Sequence, residues 1–298
     1  MGRNHVRNLA ALPGVDLVGV YDPRAAAAEG VAAEHGTRAF ASCDDLAGRI
    51  DAAVVAAPTV AHAEIGCALL ARGLHVLVEK PIAASLAEAD RLSDAADAAG
   101  RVLAVGHVEF YNPAVQALLT VGRDLKMPPR FLEVQRLAVF TPRSLDVDVV
   151  LDLMIHDLQI LHALDPSPVA EVRATGIAVL SPRVDIANAR VQLASGCVAN
   201  VTASRVSAER VRKLRAFLPS RYYSLDYHAQ EIRGYRLEEG DAGRRILPAD
   251  LAVEPAEPLK RELEAFLAAC RGEPAPLVDG RAGRQALATA LAVVEAIG

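Results

Sequence analysis

The chain has no tryptophan and only six phenylalanines and six tyrosines, so alanine, valine and leucine must fill its interior. Small aliphatic side chains favour helices packed closely on a sheet. Its four cysteines, Cys43, Cys67, Cys197 and Cys270, stand far apart with no CxxC pair. That excludes zinc and disulfide frameworks of the usual spacing and reads as free thiols in a reducing cytoplasm. Basic residues are not in excess: 32 Lys and Arg face 37 Asp and Glu, a net charge of −5. No electrostatic footprint for nucleic acid or anionic lipid exists. The most apolar stretch, Ala52 to Leu70, is broken by Pro58, His62 and Glu64, whereas a membrane span needs ~20 nearly uncharged residues. Arg3 and Arg7 are followed by no apolar core of a signal peptide. What is present is a globular mix, 52% hydrophobic and 23% charged over 298 residues, long enough for one large domain or two ordinary ones.

Up to about residue 112, short apolar runs alternate with alanine-rich segments of helical length. Strands are expected at Val15–Tyr21, Ala52–Ala56, His75–Val78 and Arg101–Val105. Helices are expected at Arg3–Leu12, Arg24–His35, Ala61–Arg72 and Leu86–Ala99, the last with Ser85 as N-cap and Gly100 just past its end. Continuous apolar strands separated by helices predict a doubly wound parallel sheet, a Rossmann-type α/β domain over 1–112. After Asn112-Pro113 the rhythm changes. A strand over Phe131–Phe140 and a long helix over Val147–Leu164 precede strands of period two at Val169–Leu180, Val184–Ala194 and Val198–Val206, with shorter ones at Arg215–Leu218, Tyr222–Tyr227 and Gln230–Leu237. This is an α+β domain over 113–298 with a mostly antiparallel, open sheet. The Pro-rich segment 248–258 reads as a loop. The closing helices, Pro258–Ala269 and Arg281–Ile297, are expected to pack back on the first domain.

Asp22 ends the Val15–Tyr21 run just ahead of a helix, where a carboxylate can accept hydrogen bonds from both hydroxyls of an adenine ribose and repel a 2′-phosphate. That favours NAD over NADP. Arg24, two residues on, pulls the other way, and Asp22-Pro23 is also an ordinary turn. A glycine-rich fingerprint is missing. Gly2 followed by Arg3 matches only the last glycine of a GxGxxG turn, and Asp22 lies at the distance a Rossmann unit requires. On this reading the first strand of the sheet is absent from the chain. Pro58 and Thr59 follow a strand, at the edge where such sheets bind ligands, though a plain proline turn fits equally.

Glu79-Lys80-Pro81 ends another strand. A lysine desolvated there is suited to proton relay. In Val150-Leu151-Asp152-Leu153-Met154-Ile155-His156-Asp157, Asp152 and His156 are four apart and share a helix face. Histidine is poised for proton transfer near neutrality, and a carboxylate beside it raises its basicity. A solvated salt bridge or half a metal site are the other readings, but no further ligands stand at metal spacing.

Asp22, Glu79-Lys80-Pro81 and Asp152-x-x-x-His156, in this order, resemble the Gfo/Idh/MocA oxidoreductases, and the resemblance covers essentially the whole chain. It implies hydride transfer between a sugar or polyol carbinol and nicotinamide, with Lys80 holding the reacting hydroxyl, His156 as general base and Asp152 orienting the substrate or tuning the pair. It also implies a homodimer or homotetramer through the open sheet. Val105-Gly106-His107-Val108-Glu109, Asn112-Pro113-Ala114, Arg136-Leu137 and Pro142-Arg143-Ser144 are similar to the branch containing UDP-N-acetylglucosamine 3-dehydrogenases, with Phe110-Tyr111 a departure from its pattern. The expected catalytic residues are therefore Lys80, Asp152 and His156. The expected cofactor residues are Gly2, Arg3, Asp22, Arg24, Pro58, Thr59, His62, Glu79, Lys80 and His107, and the expected substrate residues Lys80, Glu109, Asn112, Arg143, Asp152 and His156. No metal is expected. Alternative functions are a free-sugar or inositol dehydrogenase, a non-catalytic sensor on the same fold, and an inactive form short of its first strand.

Overall fold

A computed structural model describes residues 1–46, 48–141, 147–240 and 243–298. Along the chain the elements are α1 (Gly2–Ala11), α2 (Ala25–His35), β1 (Ala52–Val55), α3 (His62–Ala71), β2 (His75–Glu79), α4 (Leu86–Ala99), β3 (Leu103–Gly106), α5 (Pro113–Leu125), β4 (Phe131–Leu137), a π-helical turn (Val150–Met154), α6 (Ile155–Leu164), β5 (Val169–Ile177), β6 (Ile186–Leu193), β7 (Val198–Ser204), β8 (Val211–Leu218), β9 (Arg221–Asp226), β10 (Glu231–Gly240), β11 (Gly243–Pro248), α7 (Pro258–Cys270) and α8 (Gly280–Ile297). They fall into two compact units, one of Met1–His107 with Glu257–Arg284 and one of Val108–Ala256 with Gln285–Gly298.

The first unit is built on a parallel sheet in the order β1-β2-β3. Its strands are aliphatic because both faces are covered: Val76, Leu77, Val78, Leu103, Ala104 and Val105 are all buried. Leu12 just past α1, Leu77, Ala104, and Leu263 and Phe266 of α7 form one cluster, so a helix from far along the chain completes this core. Helix α4 starts and stops as its sequence dictates: Ser85 Oγ accepts from the N–H of Glu88, and Gly100 closes it in the left-handed conformation.

The Val15–Tyr21 run forms no ladder. Among the described residues only Val20 forms a strand bridge, a parallel one to Ala39 with hydrogen bonds to Arg38 and Phe40. An apolar run predicts burial, but a strand also needs a neighbour along its whole length. Gly19 lies directly under the ring of Phe40, where any Cβ would collide.

The second unit carries an eight-stranded sheet in the order β11-β10-β9-β8-β4-β7-β6-β5. The β4–β7 pair is parallel and the rest antiparallel. Alternation assigns its faces. In β6, Ala187, Ala189, Val191 and Leu193 are buried while Asn188, Arg190 and Gln192 point out. The inward face packs with Val115, Leu118 and Leu119 of α5, Leu158 and Leu161 of α6, and Ala286, Ala290 and Val293 of α8. The outward face is polar, with Asn188 donating to Thr202 and Arg215 to Glu133 across neighbouring strands.

Three further elements differ from the sequence reading. Helix α5 was not anticipated, although Asn112 caps it through its carboxamide oxygen and Pro113 occupies the first turn. Strand β11 occupies a stretch for which no element is expected and meets the Pro-rich loop only at Pro248. The helix expected over Val147–Leu164 is also two elements, the π turn and then α6.

Candidate active site

In the first unit the carboxyl ends of β1, β2 and β3 lie along one edge, because the strands are parallel and adjacent. From that edge issue Pro58-Thr59, Glu79-Lys80-Pro81 and His107. A crevice beyond strand carboxyl ends is where open α/β sheets bind ligands. Helix α1 begins at Gly2, whose position is in contact distance of Ala56, so its first turn approaches the loop after β1. No side chain caps α1, which leaves its first N–H groups to an anion such as a pyrophosphate.

Asp22 accepts from the backbone N–H of Arg24 at 2.9 Å and from its Nε at 3.3 Å. These bonds hold the Asp22 carboxyl below its ordinary range, so it stays ionised. Arg3 lies exposed, paired loosely with Glu34. Gly2, Asp22, Pro58 and Thr59 thus fit a dinucleotide: uncapped amides for a diphosphate, a carboxylate for a ribose, and a strand-end turn for the remainder.

Around Lys80 the groups are closely packed. His62 is 1% exposed and sets Nδ1 2.9 Å from the carbonyl of Pro81 and Nε2 2.9 Å from that of Ala57. It therefore ties together the loops that follow β1 and β2. Glu79 is buried, with His5 Nε2 2.7 Å from its Oε1. His107 is fully buried, and burial together with the charge of Lys80 pushes its pKa down to about 3. It is a neutral imidazole at any physiological pH.

The second unit holds Asp152 on the π turn and His156 one turn later at the start of α6. A π turn is wider than an α turn and is frequently found at functional sites. Asp152 is half-buried and His156 buried. The approach to the turn is anchored by a buried ion pair. Arg205 Nε donates to Asp185 Oδ1 at 2.8 Å, and its Nη2 donates to the carbonyls of Val147 and Val184. Val149 N–H donates to Val184 O, and Val184 N–H to Asp148 Oδ1. Burial opposes the charge of Asp185, but the Ser181 hydroxyl and the N–H groups of Leu180, Val179 and Ser181 outweigh it and hold its pKa far below the usual carboxyl range.

Directly after His156, Asp157 receives a bidentate pair from Arg136, Nε to Oδ2 at 2.7 Å and Nη2 to Oδ1 at 2.8 Å. Arg136 Nη1 donates to Glu109 at 2.7 Å, Tyr227 Oη donates to Asp157, and the guanidinium lies over the Tyr227 ring. Burial disfavours the Arg136 charge, but Asp157 and Glu109 overcome it and fix it as a cation. Glu109 also receives Arg212, and Asn112 donates to the Tyr227 carbonyl while its oxygen caps α5. Glu109 and Asn112, two of the expected substrate residues, are therefore buried and bound to the protein's own groups. Arg143 lies outside the described residues.

Sequence reading gave no role to Arg136, Asp157, Asp185 or Arg205. The signal was phase: Arg136 falls in step with buried Leu132 and Val134, and Arg205 in step with Val201 and Ala203. A charge at an inward position needs a buried partner. His162 is likewise structural, bonded to Thr289, with burial lowering its pKa to about 4. Among the described residues no cluster of three metal-ligating side chains exists, and no helix is long and apolar enough to cross a membrane.

A Rossmann-type unit followed by a helix-backed mixed sheet, with a lysine at a strand end and an Asp–His pair on a π/α junction, defines a class of nicotinamide-linked oxidoreductases. Comparison with known proteins agrees. The profile described as "Oxidoreductase family, NAD-binding Rossmann fold" (GFO_IDH_MocA) matches residues 1–107. The chain is 40% identical to a UDP-N-acetylglucosamine 3-dehydrogenase of Acidithiobacillus ferrooxidans, covering 100% of this chain and 94% of that protein. The solved structure of that enzyme, GnnA, superposes with a TM-score of 0.91 over 99% of this chain and 94% of the other, at 38% identity. A myo-inositol dehydrogenase, Hyg17 of Streptomyces leeuwenhoekii, is 30% identical over 98% of this chain and 93% of its own length. The chain belongs to the Gfo/Idh/MocA family and is an NAD-binding oxidoreductase.

Proposed function

We propose that this enzyme oxidises the 3-hydroxyl of a UDP-N-acetylhexosamine with NAD. The observation that carries the reading is the 40% identity, spread over the whole chain, to a UDP-N-acetylglucosamine 3-dehydrogenase. Oxidation of a carbinol removes a hydride from carbon and a proton from oxygen. NAD, when bound, supplies the hydride acceptor. Lys80 holds and polarises the reacting hydroxyl, His156 takes its proton, and Asp152 orients the substrate or tunes the lysine and histidine. Gly2, Asp22, Pro58 and Thr59 hold the dinucleotide. NAD is preferred to NADP because the ionised Asp22 suits a ribose diol and repels a 2′-phosphate. The same reading includes a homodimer or homotetramer assembled through the open sheet, working in the cytoplasm, where the free cysteines stay thiols.

The test is isotopic. UDP-N-acetylglucosamine deuterated at C3 should pass its label to the reduced nicotinamide and show a primary kinetic isotope effect. Turnover that leaves the deuterium on the sugar would place the chemistry at another carbon and overturn the assignment.

A further inference from the structure

Glu79 is a buried, doubly hydrogen-bonded carboxyl of the first unit that has no part in the proton transfer described above. It ends β2, and its side chain is buried among four elements. From α1, His5 Nε2 lies 2.7 Å from Oε1, with His5 only 2% exposed. From the loop after β2, the N–H of Lys80 donates to Oε2 at 3.2 Å. On β3, Gly106 is the register partner of Glu79, and a Cβ there would come within 3.2 Å of the Glu79 carboxyl carbon and Oε2. Glycine is thus what lets the carboxyl lie over that strand. From α7, Glu262 is 1% exposed and both its oxygens lack a hydrogen-bond partner. Burial, reinforced by the charge of Glu79, keeps Glu262 protonated. The Glu79 carboxyl is thus held by His5 on one oxygen and grips with the other the peptide from which Lys80 springs. His62 holds the next carbonyl, that of Pro81, at 2.9 Å.

We propose that Glu79, held by His5 and lodged over Gly106, is the positioning residue of Lys80, fixing the backbone from which the lysine side chain springs. A carboxylate accepting an N–H bond and a histidine bond at once has little rotational freedom, and a reacting group displaced by ~1 Å can cost on the order of 100-fold in rate. The inference rests on the role given to Lys80 above.

The full-length enzyme tests it through a double-mutant cycle read as kcat, with NADH formation followed by absorbance and NADH affinity by fluorescence titration. Glu79→Gln should lower kcat ~10-fold or more while NADH affinity stays within about two-fold, since a positioning loss falls on the reaction rather than on binding. Lys80→Met should lower it further, and adding Glu79→Gln to Lys80→Met should then change nothing beyond about two-fold, because the two act as a unit. Glu262→Gln, which copies the neutral acid, should match the parent and serves as the control for packing. If Glu79→Gln does not fold by circular dichroism, His5→Ala replaces it, with a smaller loss that again vanishes in the Lys80→Met background. A Glu79→Gln enzyme at parental kcat, or a loss that multiplies with that of Lys80→Met, overturns the positioning role. A Lys80→Met enzyme at parental rate would instead overturn the reading of Lys80 itself.

Discussion

Replacing Asp157 by asparagine removes one of the two carboxylates that neutralise a guanidinium sealed inside the second unit. Arg136 is 3% exposed and Asp157 1%. Both Asp157 oxygens are engaged by Arg136, and Oδ1 also by Tyr227. Taking one partner from a buried ion pair costs roughly 3–5 kcal/mol, mostly because the remaining charge is left uncompensated. Here Glu109 remains on Arg136 at 2.7 Å, and asparagine still offers one carbonyl oxygen, so the lower end, about 3 kcal/mol, is expected. At about 2–4 °C per kcal/mol for a unit of this size, the unfolding midpoint should fall by roughly 6–12 °C. With no tryptophan in the chain, circular dichroism on heating is the natural probe. Adding Glu109→Gln should cost more than the sum of the single changes, because it strips the last counter-charge from Arg136. A midpoint within about 2 °C of the parent for Asp157→Asn would show that the pair is not stabilising, and the account of how α6 is pinned beside His156 would fail.

The remaining predictions concern other buried charges and the site. Asp185→Asn should destabilise the enzyme at neutral pH. Because the folded-state pKa of Asp185 is depressed, the stability it supplies is present above the ordinary carboxyl range and lost as pH falls, so the gap from the parent should close below about pH 4; a gap constant from pH 7 to 3 contradicts this. Glu262→Leu should stabilise by ~1–3 kcal/mol, since it removes a buried acid without a partner. The Glu262 pKa is raised in the folded state, so this gain should grow as pH rises above the carboxyl range, and a lower melting point at pH 8 would refute it. Lys80→Ala and His156→Ala should each reduce turnover by at least ~100-fold, and near-parental rates in either would remove that residue from the chemistry. Asp22→Asn should lower the NAD-to-NADP preference about ten-fold, equivalent to ~1.4 kcal/mol; an unchanged ratio of kcat/KM values would show that Asp22 does not read the ribose.

Where the sequence was legible, a local rule did the work. The Ser85 cap and Gly100 stop delimit α4 without reference to the rest of the chain, and the apolar runs of β1–β3 follow from burial on both faces. Long-range consequences were not legible. Val15–Tyr21 has strand composition yet gains only one bridge, because pairing depends on a neighbour remote in sequence. The π turn under Asp152 has no residue signature, and the expected Asp152–His156 spacing is carried by two kinds of helix. Glu79 reads as a ligand contact because it ends a strand, and Glu109 and Asn112 because they stand in motifs shared with the family branch. Their partners are His5, 74 positions away from Glu79, Arg136 and Arg212 for Glu109, and the Tyr227 carbonyl for Asn112, 115 positions on. Asn112-Pro113 does carry a local signal for α5, an N-cap followed by proline, in addition to the change of rhythm it marks.

The central claim is the substrate, and initial rates with NAD measure it most directly. UDP-N-acetylglucosamine, myo-inositol and glucose, each compared by kcat/KM on the same full-length preparation, separate a sugar-nucleotide enzyme from a free-polyol enzyme, the activity named for the 30% identical inositol dehydrogenase. The account predicts turnover with UDP-N-acetylglucosamine and a kcat/KM at least ~100-fold lower for the free polyols, which lack the nucleotide and the binding energy it brings to the reaction. Turnover confined to myo-inositol or glucose would contradict it.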